Sequence, residues 1–232
     1  MLKRIALFSL LSCTSAMIFA NVETLKNNLN QQYPNIQVSN IQATEMSGLY
    51  SASLDKQIIY LDENAQHMFI GSMVRLKDQK NLTKDLVLKQ NSIDWKQLPL
   101  KDAIKTVKGN GKQQLAIFSD PNCPYCKKLE AELDKLNDVT IYTFIYPLKA
   151  QSITVSKSIW CDPNQAYAWK NLLQKNIQPK EKTCTNPIDR NLELGKKLGI
   201  EGTPTLIFGS GLKMVGGRSA EDIRMIWKEL GL

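Results

Sequence analysis

Cys123 and Cys126 are separated by two residues, in the sequence Cys-Pro-Tyr-Cys, and this spacing is typical of thiol–disulfide exchange. An apolar run at residues 115–118 precedes the pair and predicts a buried strand, and leucines at helical spacing follow it. Cys123 is therefore expected at the N-terminus of a helix, where unpaired backbone N–H groups and the helix dipole favour a thiolate. The thiolate is the nucleophile in disulfide exchange. Cys126, one turn further on, could then attack a mixed disulfide on Cys123 and release the substrate.

The neighbours of the two cysteines favour the same chemistry. Pro124 suits the first turn of a helix, because its missing N–H would have no partner there, and we expect Pro124 and Tyr125 to meet the substrate. Residues 119–122 are expected to keep the site on an exposed loop, and Lys127 and Lys128 add positive charge nearby. A purely structural disulfide within the motif is the alternative to a redox pair.

Cys161 and Cys184 lie far apart in the sequence, and neither has an activating context. We interpret them as a structural disulfide, which would stabilise the fold by about 3 kcal/mol in the chain-entropy model. A second redox pair is one alternative. The other is a zinc site with the Cys-Pro-Tyr-Cys motif, but zinc would need a second close pair. His67 is the chain's one histidine, so a histidine-built metal site is excluded, and we predict no metal and no cofactor.

The segment Gly202-Thr203-Pro204-Thr205 supplies a second candidate part of the site. In a thioredoxin-type domain a cis-proline precedes the equivalent strand and lies across from the cysteine pair. We therefore expect Thr203 and Pro204 to bind substrate, with the backbone of Thr203 exposed for an extended peptide to pair with. An ordinary trans turn is the alternative interpretation.

The first twenty residues predict a secretory signal peptide, because a basic start is followed by an apolar run and then by small residues. An alternative is a bacterial lipoprotein signal with Cys13 as the acylated residue. Export agrees with the cysteine content, since four cysteines remain after residue 20 and disulfides persist outside the cytosol. The formal net charge of +8 comes from dispersed lysines, so we predict no nucleic-acid binding.

Three segments follow the leader. Residues 21–82 combine a helix at 21–32 with short strands at 36–38, 49–54, 58–61 and 68–76, separated by turn formers such as Asp55-Lys56. A segment of this size buries only a small hydrophobic core, which suggests that dimerisation stabilises it, and an exposed strand edge could pair with a second chain. Residues 83–105 predict a partly helical linker. Residues 106–232 predict an α/β domain with strands at 115–118, 139–146, 205–208 and 212–215, a helical stretch at 153–198 bounded by Pro187 and Gly199, and a last helix capped by Ser219.

Residues 118–130 together with 202–205 resemble the periplasmic disulfide isomerases of the DsbC/DsbG family, more closely DsbC. Residues 48–50, 59–62 and 67–71 resemble that family's small dimerisation domain. The resemblance implies an α/β thioredoxin-like fold with a helical insertion, preceded by a small α+β (cystatin-like) dimerisation domain and a helical linker. It also implies that Cys123 is the nucleophile, that Cys126 is the resolving cysteine, and that Cys161 and Cys184 form the structural disulfide.

The resemblance further implies a periplasmic homodimer that binds misfolded, disulfide-containing exported proteins and is kept reduced by a membrane reductant of the DsbD type. The dipeptide Pro124-Tyr125 departs from the Gly-Tyr of typical DsbC proteins and matches DsbG. A disulfide isomerase is therefore the favoured function, and a DsbG-like reductase of protein sulfenic acids is the alternative. A chaperone-like binding module without catalysis is a third hypothesis.

Overall fold

The structure is a computed structural model that describes the backbone of residues 13–232 and the side chains from residue 21. The predicted signal peptide, residues 1–20, and Cys13 as a lipid site therefore lie outside the residues whose side chains are described. The chain divides into two compact units between Gln90 and Asn91, inside the segment predicted as a linker. No helix of the described residues is both long enough and apolar enough to span a bilayer.

The first unit packs a helix on an antiparallel sheet of order β1-β2-β3-β4. Leu25 and Leu29 of the first helix contact every second residue of the two central strands, because successive side chains of a strand point to opposite faces. The elements are α1 (Cys13–Gln32), β1 (Ser39–Ala43), β2 (Leu49–Leu54), β3 (Gln57–Asp62), β4 (Met68–Ile70), β5 (Val74–Arg75), β6 (Lys80–Asn81) and α2 (Leu82–Gln90).

Two strand predictions in this unit are wrong. The strand expected at 36–38 lies instead at β1, whose register is shifted between Ser39 and Gln42 and whose Asn40 has a φ of 53°, so the regular alternation is lost. The strand expected at 68–76 ends at Ile70, because β4 pairs with only three residues of β3 and β5 pairs with β6 instead. The turn predicted at Asp55-Lys56 is confirmed, with a φ of 48° at Asp55 and 69° at Lys56.

The second unit is built on a five-stranded sheet of order β11-β10-β8-β9-β7, in which β8 and β9 are parallel and the other pairs antiparallel. Its elements are 3₁₀ turns at Trp95–Gln97 and Leu100–Asp102, β7 (Ile104–Lys108), β8 (Gln113–Ser119), α3 (Pro124–Leu133), β9 (Val139–Ile145), α4 (Ala150–Trp160), α5 (Gln165–Lys175), α6 (Ile188–Lys197), β10 (Thr205–Phe208), β11 (Lys213–Val215) and α7 (Ala220–Glu229).

Both faces of this sheet are covered. On one face Phe118 stacks on Phe144, with ring centroids 4.8 Å apart, and on the other Ile145 joins a cluster with Cys126 and the helices between β9 and β10. Burial on both faces explains why β8 reads as a continuous apolar run rather than as an alternating one. The central strand is thereby held rigidly, and its C-terminal end carries the Cys-Pro-Tyr-Cys motif.

The predicted helical stretch at 153–198 is three helices, α4, α5 and α6. Pro187 directly precedes α6, and Gly199 follows it with a φ of 61°, as their positions predict. A disulfide joins Cys161, at the end of α4, to Cys184 in the segment before α6. The strand β7 was not predicted, because its two apolar residues, Ile104 and Val107, do not alternate with polar ones. The strand lies at the edge of the sheet and pairs only with β9.

Candidate active site

The motif sits where a buried strand turns into a helix. Cys123 occupies the N-cap position of α3 with extended backbone angles, and Pro124 is the first helical residue. Its fixed φ suits that position, and its absent N–H leaves one fewer unpaired donor there. The thiol of Cys123 is partly exposed, whereas Cys126 is fully buried one turn further into α3.

Asp120 anchors the loop between β8 and Cys123. Its side chain is 1% exposed and accepts hydrogen bonds from the backbone N–H of Asn122 (2.8 Å), the Ser152 hydroxyl (2.7 Å) and the backbone N–H of Leu148 (2.9 Å). The carbonyl of Asp120 also accepts from the backbone N–H of Cys123 at 3.1 Å. The expectation that residues 119–122 form an exposed loop is therefore wrong, because residues 119–121 are buried and Asn122 is half-buried, with Asp120 bonded to donors in the interior.

The segment before β10 lies across from the motif, although 80 positions separate Cys123 from Thr203. The Cys123 thiol donates to the carbonyl of Thr203, with Sγ and O 3.3 Å apart. The Thr203–Pro204 peptide is cis, and the Thr205 hydroxyl closes the turn by donating to the carbonyl of Gly202 at 2.7 Å. Thr203 is partly exposed beside the thiol, whereas Pro204 is buried.

The two thiols differ in acidity for structural reasons. Partial burial acts to raise the pKa of Cys123, but hydrogen bonding with Thr203, with the backbone N–H and thiol of Cys126 and with the backbone N–H of Tyr125 brings that pKa below its ordinary value. Burial raises the pKa of Cys126 to about 12, against a smaller opposing effect of the Ser119 side chain and the Asp120 backbone. Cys123 is therefore the more readily ionised of the two thiols, and Cys126 stays protonated near neutral pH.

Comparison with known proteins agrees with this arrangement. Residues 16–84 match the family model described as the disulfide bond isomerase protein N-terminal domain, and residues 100–230 match that of a thioredoxin-like domain. The probable thiol:disulfide interchange protein DsbC of Bordetella pertussis is 31% identical over 202 residues, which are 87% of this chain and 72% of that protein. This chain belongs to the DsbC family.

Two further relatives support that assignment. The thiol:disulfide interchange protein DsbC of Salmonella typhimurium is 25% identical over 239 residues, covering 99% of this chain and 97% of that protein. The crystal structure of a disulfide interchange protein from Neisseria gonorrhoeae is 38% identical, with a TM-score of 0.55, and covers 57% of this chain and 97% of that one. The predicted family and fold class, a thioredoxin-like domain with a helical insertion behind a DsbC-type N-terminal domain, are confirmed.

The structure brings the predicted catalytic and substrate-binding residues of this DsbC-family chain to one place. Pro124 and Tyr125 are exposed beside Cys123, and Thr203 with Pro204 face it from the other side. Cys161 and Cys184 are bonded to each other, so neither offers a thiolate for a zinc site with the motif. Among the residues that the structure describes, no group of three or more His, Cys, Asp or Glu side chains is arranged to hold a metal ion.

Sequence reasoning missed Asp120 and Ser119 as parts of the site. Both are buried at the end of β8. Asp120 accepts hydrogen bonds from the loop and from the helical insertion, and the side chain of Ser119 acts to lower the pKa of Cys126. A carboxylate three residues before the motif was the available signal. It points to a loop anchor only when its donors are known, and two of them, on Leu148 and Ser152, come from beyond β9.

Proposed function

We propose that this protein is a disulfide isomerase of exported proteins, with Cys123 as nucleophile. The Cys123 thiolate attacks one sulfur of a non-native disulfide, so that the substrate S–S bond breaks, a mixed disulfide forms and the other substrate sulfur leaves as a thiolate. A different substrate thiolate then attacks the substrate sulfur of the mixed disulfide and expels Cys123, without net oxidation. The observation that carries this proposal is the partly exposed Cys123, of lowered pKa, beside the fully buried Cys126.

Cys126 resolves mixed disulfides between Cys123 and the substrate that no substrate thiolate has attacked. Its thiolate attacks Cys123, the substrate leaves as a reduced thiolate, and a Cys123–Cys126 disulfide remains. That disulfide needs an external dithiol to return to the reduced form. We propose a membrane reductant of the DsbD type for this role and a periplasmic location, as the predicted leader and the DsbC family membership favour.

Scrambled ribonuclease tests the mechanism. Cys123→Ser should abolish recovery of ribonuclease activity, because no nucleophile remains at the helix N-terminus. Cys126→Ser, the matched control for loss of one thiol, should keep the first attack and accumulate mixed disulfides that resolve slowly. Full isomerase activity in Cys123→Ser would refute the proposal.

A second candidate is reduction of cysteine sulfenic acids, favoured by the Pro124-Tyr125 dipeptide that departs from the DsbC pattern. Cys123 would attack the sulfenic sulfur and release hydroxide, forming a mixed disulfide that Cys126 resolves. A Cys126→Ala variant should then trap partners with a single cysteine. Trapping only partners with several disulfides would contradict this candidate.

We also propose a homodimer formed through the first unit. β4 is an edge strand of the sheet, and its Met68, Phe69 and Ile70 are 37%, 55% and 65% exposed. An apolar edge strand is a ready template for pairing with another chain, which would cover these side chains.

Paired copies could also bind unfolded chains without catalysis. Unchanged suppression of aggregation by a Cys123→Ser, Cys126→Ser double variant would support that chaperone-like activity.

A further inference from the structure

The loop after β11 lies against the catalytic motif. The backbone N–H of Gly216 donates to the carbonyl of Pro204 at 2.8 Å. A β-carbon on Gly217 would stand 3.8 Å from the carbonyl oxygen of Tyr125 and 3.9 Å from Cγ of Pro204. The next residue is Arg218, whose Nη1 donates to the carbonyl of Gly217 at 2.9 Å. The loop that carries Arg218 therefore lies at the rim of the active site, beside both the motif and the Thr203–Pro204 segment.

A second cation lies on α3, close to the motif. Nζ of Lys128 is 5.8 Å from the ring centroid of Tyr125, and that ring is 66% exposed. Lys127 extends the positive charge along α3, with its Nζ 3.4 Å from the side-chain oxygen of Asn176. Within the part of the chain whose side chains are described, Arg218, Lys127 and Lys128 form no ion pair with a carboxylate.

Most carboxylates close in sequence to these elements have partners of their own, and among the described side chains Glu221, three residues after Arg218, forms no ion pair with it. Asp120 accepts its three buried hydrogen bonds, Glu130 accepts from Nε1 of Trp169 at 2.5 Å, and Asp222 forms a capping box with Ser219. Glu132 pairs with Lys135 and accepts from the backbone N–H of Ala220, and Glu201, before the Thr203 turn, has an interaction of its own. Among the described side chains, none of these carboxylates forms an ion pair with Arg218, Lys127 or Lys128.

We propose that this rim selects polypeptide segments in which acidic residues flank the cysteine that Cys123 attacks. The proposal rests on the proposed disulfide exchange and names its preferred substrate class. An extended segment that reaches Cys123 beside Thr203 comes within range of Arg218 and Lys128, and fixed cations at a binding surface raise both the encounter rate and the specificity for anionic partners. Tyr125, within the motif, offers an exposed aromatic surface for the apolar parts of the same segment.

The test uses the Cys126→Ser protein and three synthetic peptides with one identical disulfide loop, flanked by glutamates, lysines or glutamines. The second-order rate of mixed-disulfide formation is measured for each, and each rate is divided by that of the same peptide with dithiothreitol. This division removes the effect of the flanking charges on the leaving thiol. Measurements at about 0.01 M and about 1 M salt separate charge effects from contact effects, because the Debye length falls from about 30 Å to about 3 Å.

We expect the normalised rate of the acidic peptide to exceed that of the basic peptide by about tenfold at low salt, a difference of about 1.4 kcal/mol, and to approach it at high salt. Arg218→Gln combined with Lys128→Gln should remove most of the preference. Lys112→Gln, which removes an exposed cation at the opposite end of β8, should leave it unchanged.

Two outcomes would overturn the inference: equal normalised rates for the acidic and basic peptides at low salt, or a full preference retained in the double variant. The neutral peptide keeps the two proposals distinguishable. If Cys123 attacks the neutral peptide but shows no charge preference, only the acidic selectivity fails. If Cys123 attacks none of the three peptides, the proposed disulfide exchange itself fails.

Discussion

At the scale of single residues, the site depends on two cysteine side chains that lie in different environments. Cys123 and Cys126 differ by one helical turn, and the turn places one thiol at the surface end of α3 and the other in the core beneath it. Hydrogen bonds lower the pKa of the first and burial raises the pKa of the second to about 12. The two thiols therefore differ in acidity, as the proposed roles of nucleophile and resolving cysteine require.

Alkylation with iodoacetamide should report this difference, because only a thiolate reacts. In the reduced protein we expect the labelling rate of Cys123 to reach half its maximum below pH 9.0, the ordinary value, since its pKa is lowered. Cys126 should stay unlabelled until the protein unfolds, because its thiol is both buried and protonated. Mass spectrometry of digests at a series of pH values measures both sites. Equal labelling of the two cysteines in the native protein would contradict the assignment.

At the scale of elements, the active-site loop and the helical insertion are tied together by one buried carboxylate. Asp120 accepts from the loop itself and from Leu148 and Ser152, which lead into and lie within α4. The insertion therefore contributes to the position of Cys123 as well as covering one face of the sheet.

Asp120→Ala should destabilise the protein by about 2–4 kcal/mol, because three buried donors lose their acceptor together. Ser152→Ala removes one of these hydrogen bonds and should cost about 1 kcal/mol. Urea unfolding followed by tryptophan fluorescence measures both differences. A smaller loss for Asp120→Ala than for Ser152→Ala would show that the carboxylate does not anchor the loop.

The disulfide between Cys161 and Cys184 acts within the insertion, where the segment 176–187 has no regular structure of its own. Replacing both cysteines with alanine should lower the free energy of unfolding by about 3 kcal/mol, because the unfolded chain is no longer cross-linked. Urea unfolding of the double variant and of the wild type, both with the Cys123–Cys126 pair reduced, gives the difference. An unchanged midpoint would contradict a stabilising role.

At the scale of the whole molecule, the chain joins a catalytic unit to a smaller unit that exposes an apolar edge. The exposed Phe69 and Ile70 are unusual for a strand edge left in water, since natural edges are commonly protected by charge. Pairing of two such edges would explain the exposed Phe69 and Ile70, and the resulting dimer would carry two catalytic units.

Ile70→Lys should convert the proposed dimer into a monomer, because a charge would be buried without a partner at the paired edge. Gln31→Lys adds the same charge to an exposed position of α1 and should leave the dimer intact. Sedimentation equilibrium of the mature chain should give twice its mass for wild type and control, and the single mass for Ile70→Lys. A monomeric wild type, or a dimeric Ile70→Lys, would contradict the proposed interface.

Local patterns determined a large part of this protein. The strand–Cys-Pro-Tyr-Cys–helix order, the turn at Asp55-Lys56, the start of α6 after Pro187 and the Ser219 cap are set by residues within a few positions of one another. Such features depend on backbone preferences and capping, which the sequence states directly. The DsbC family and its fold were predicted from the resemblance of residues 118–130 and 202–205 to that family, beside these local patterns.

Apart from the Thr203–Pro204 segment, which was predicted to lie across from the cysteine pair, only the tertiary structure decided which distant residues surround the thiols. Asp120 is buried because donors from Leu148 and Ser152 reach it, and the loop before Arg218 lies beside Pro204. The strand β7 likewise exists through its pairing with β9. These contacts join segments far apart in the chain, and their energies depend on sheet order and packing, which no local pattern of residues specifies.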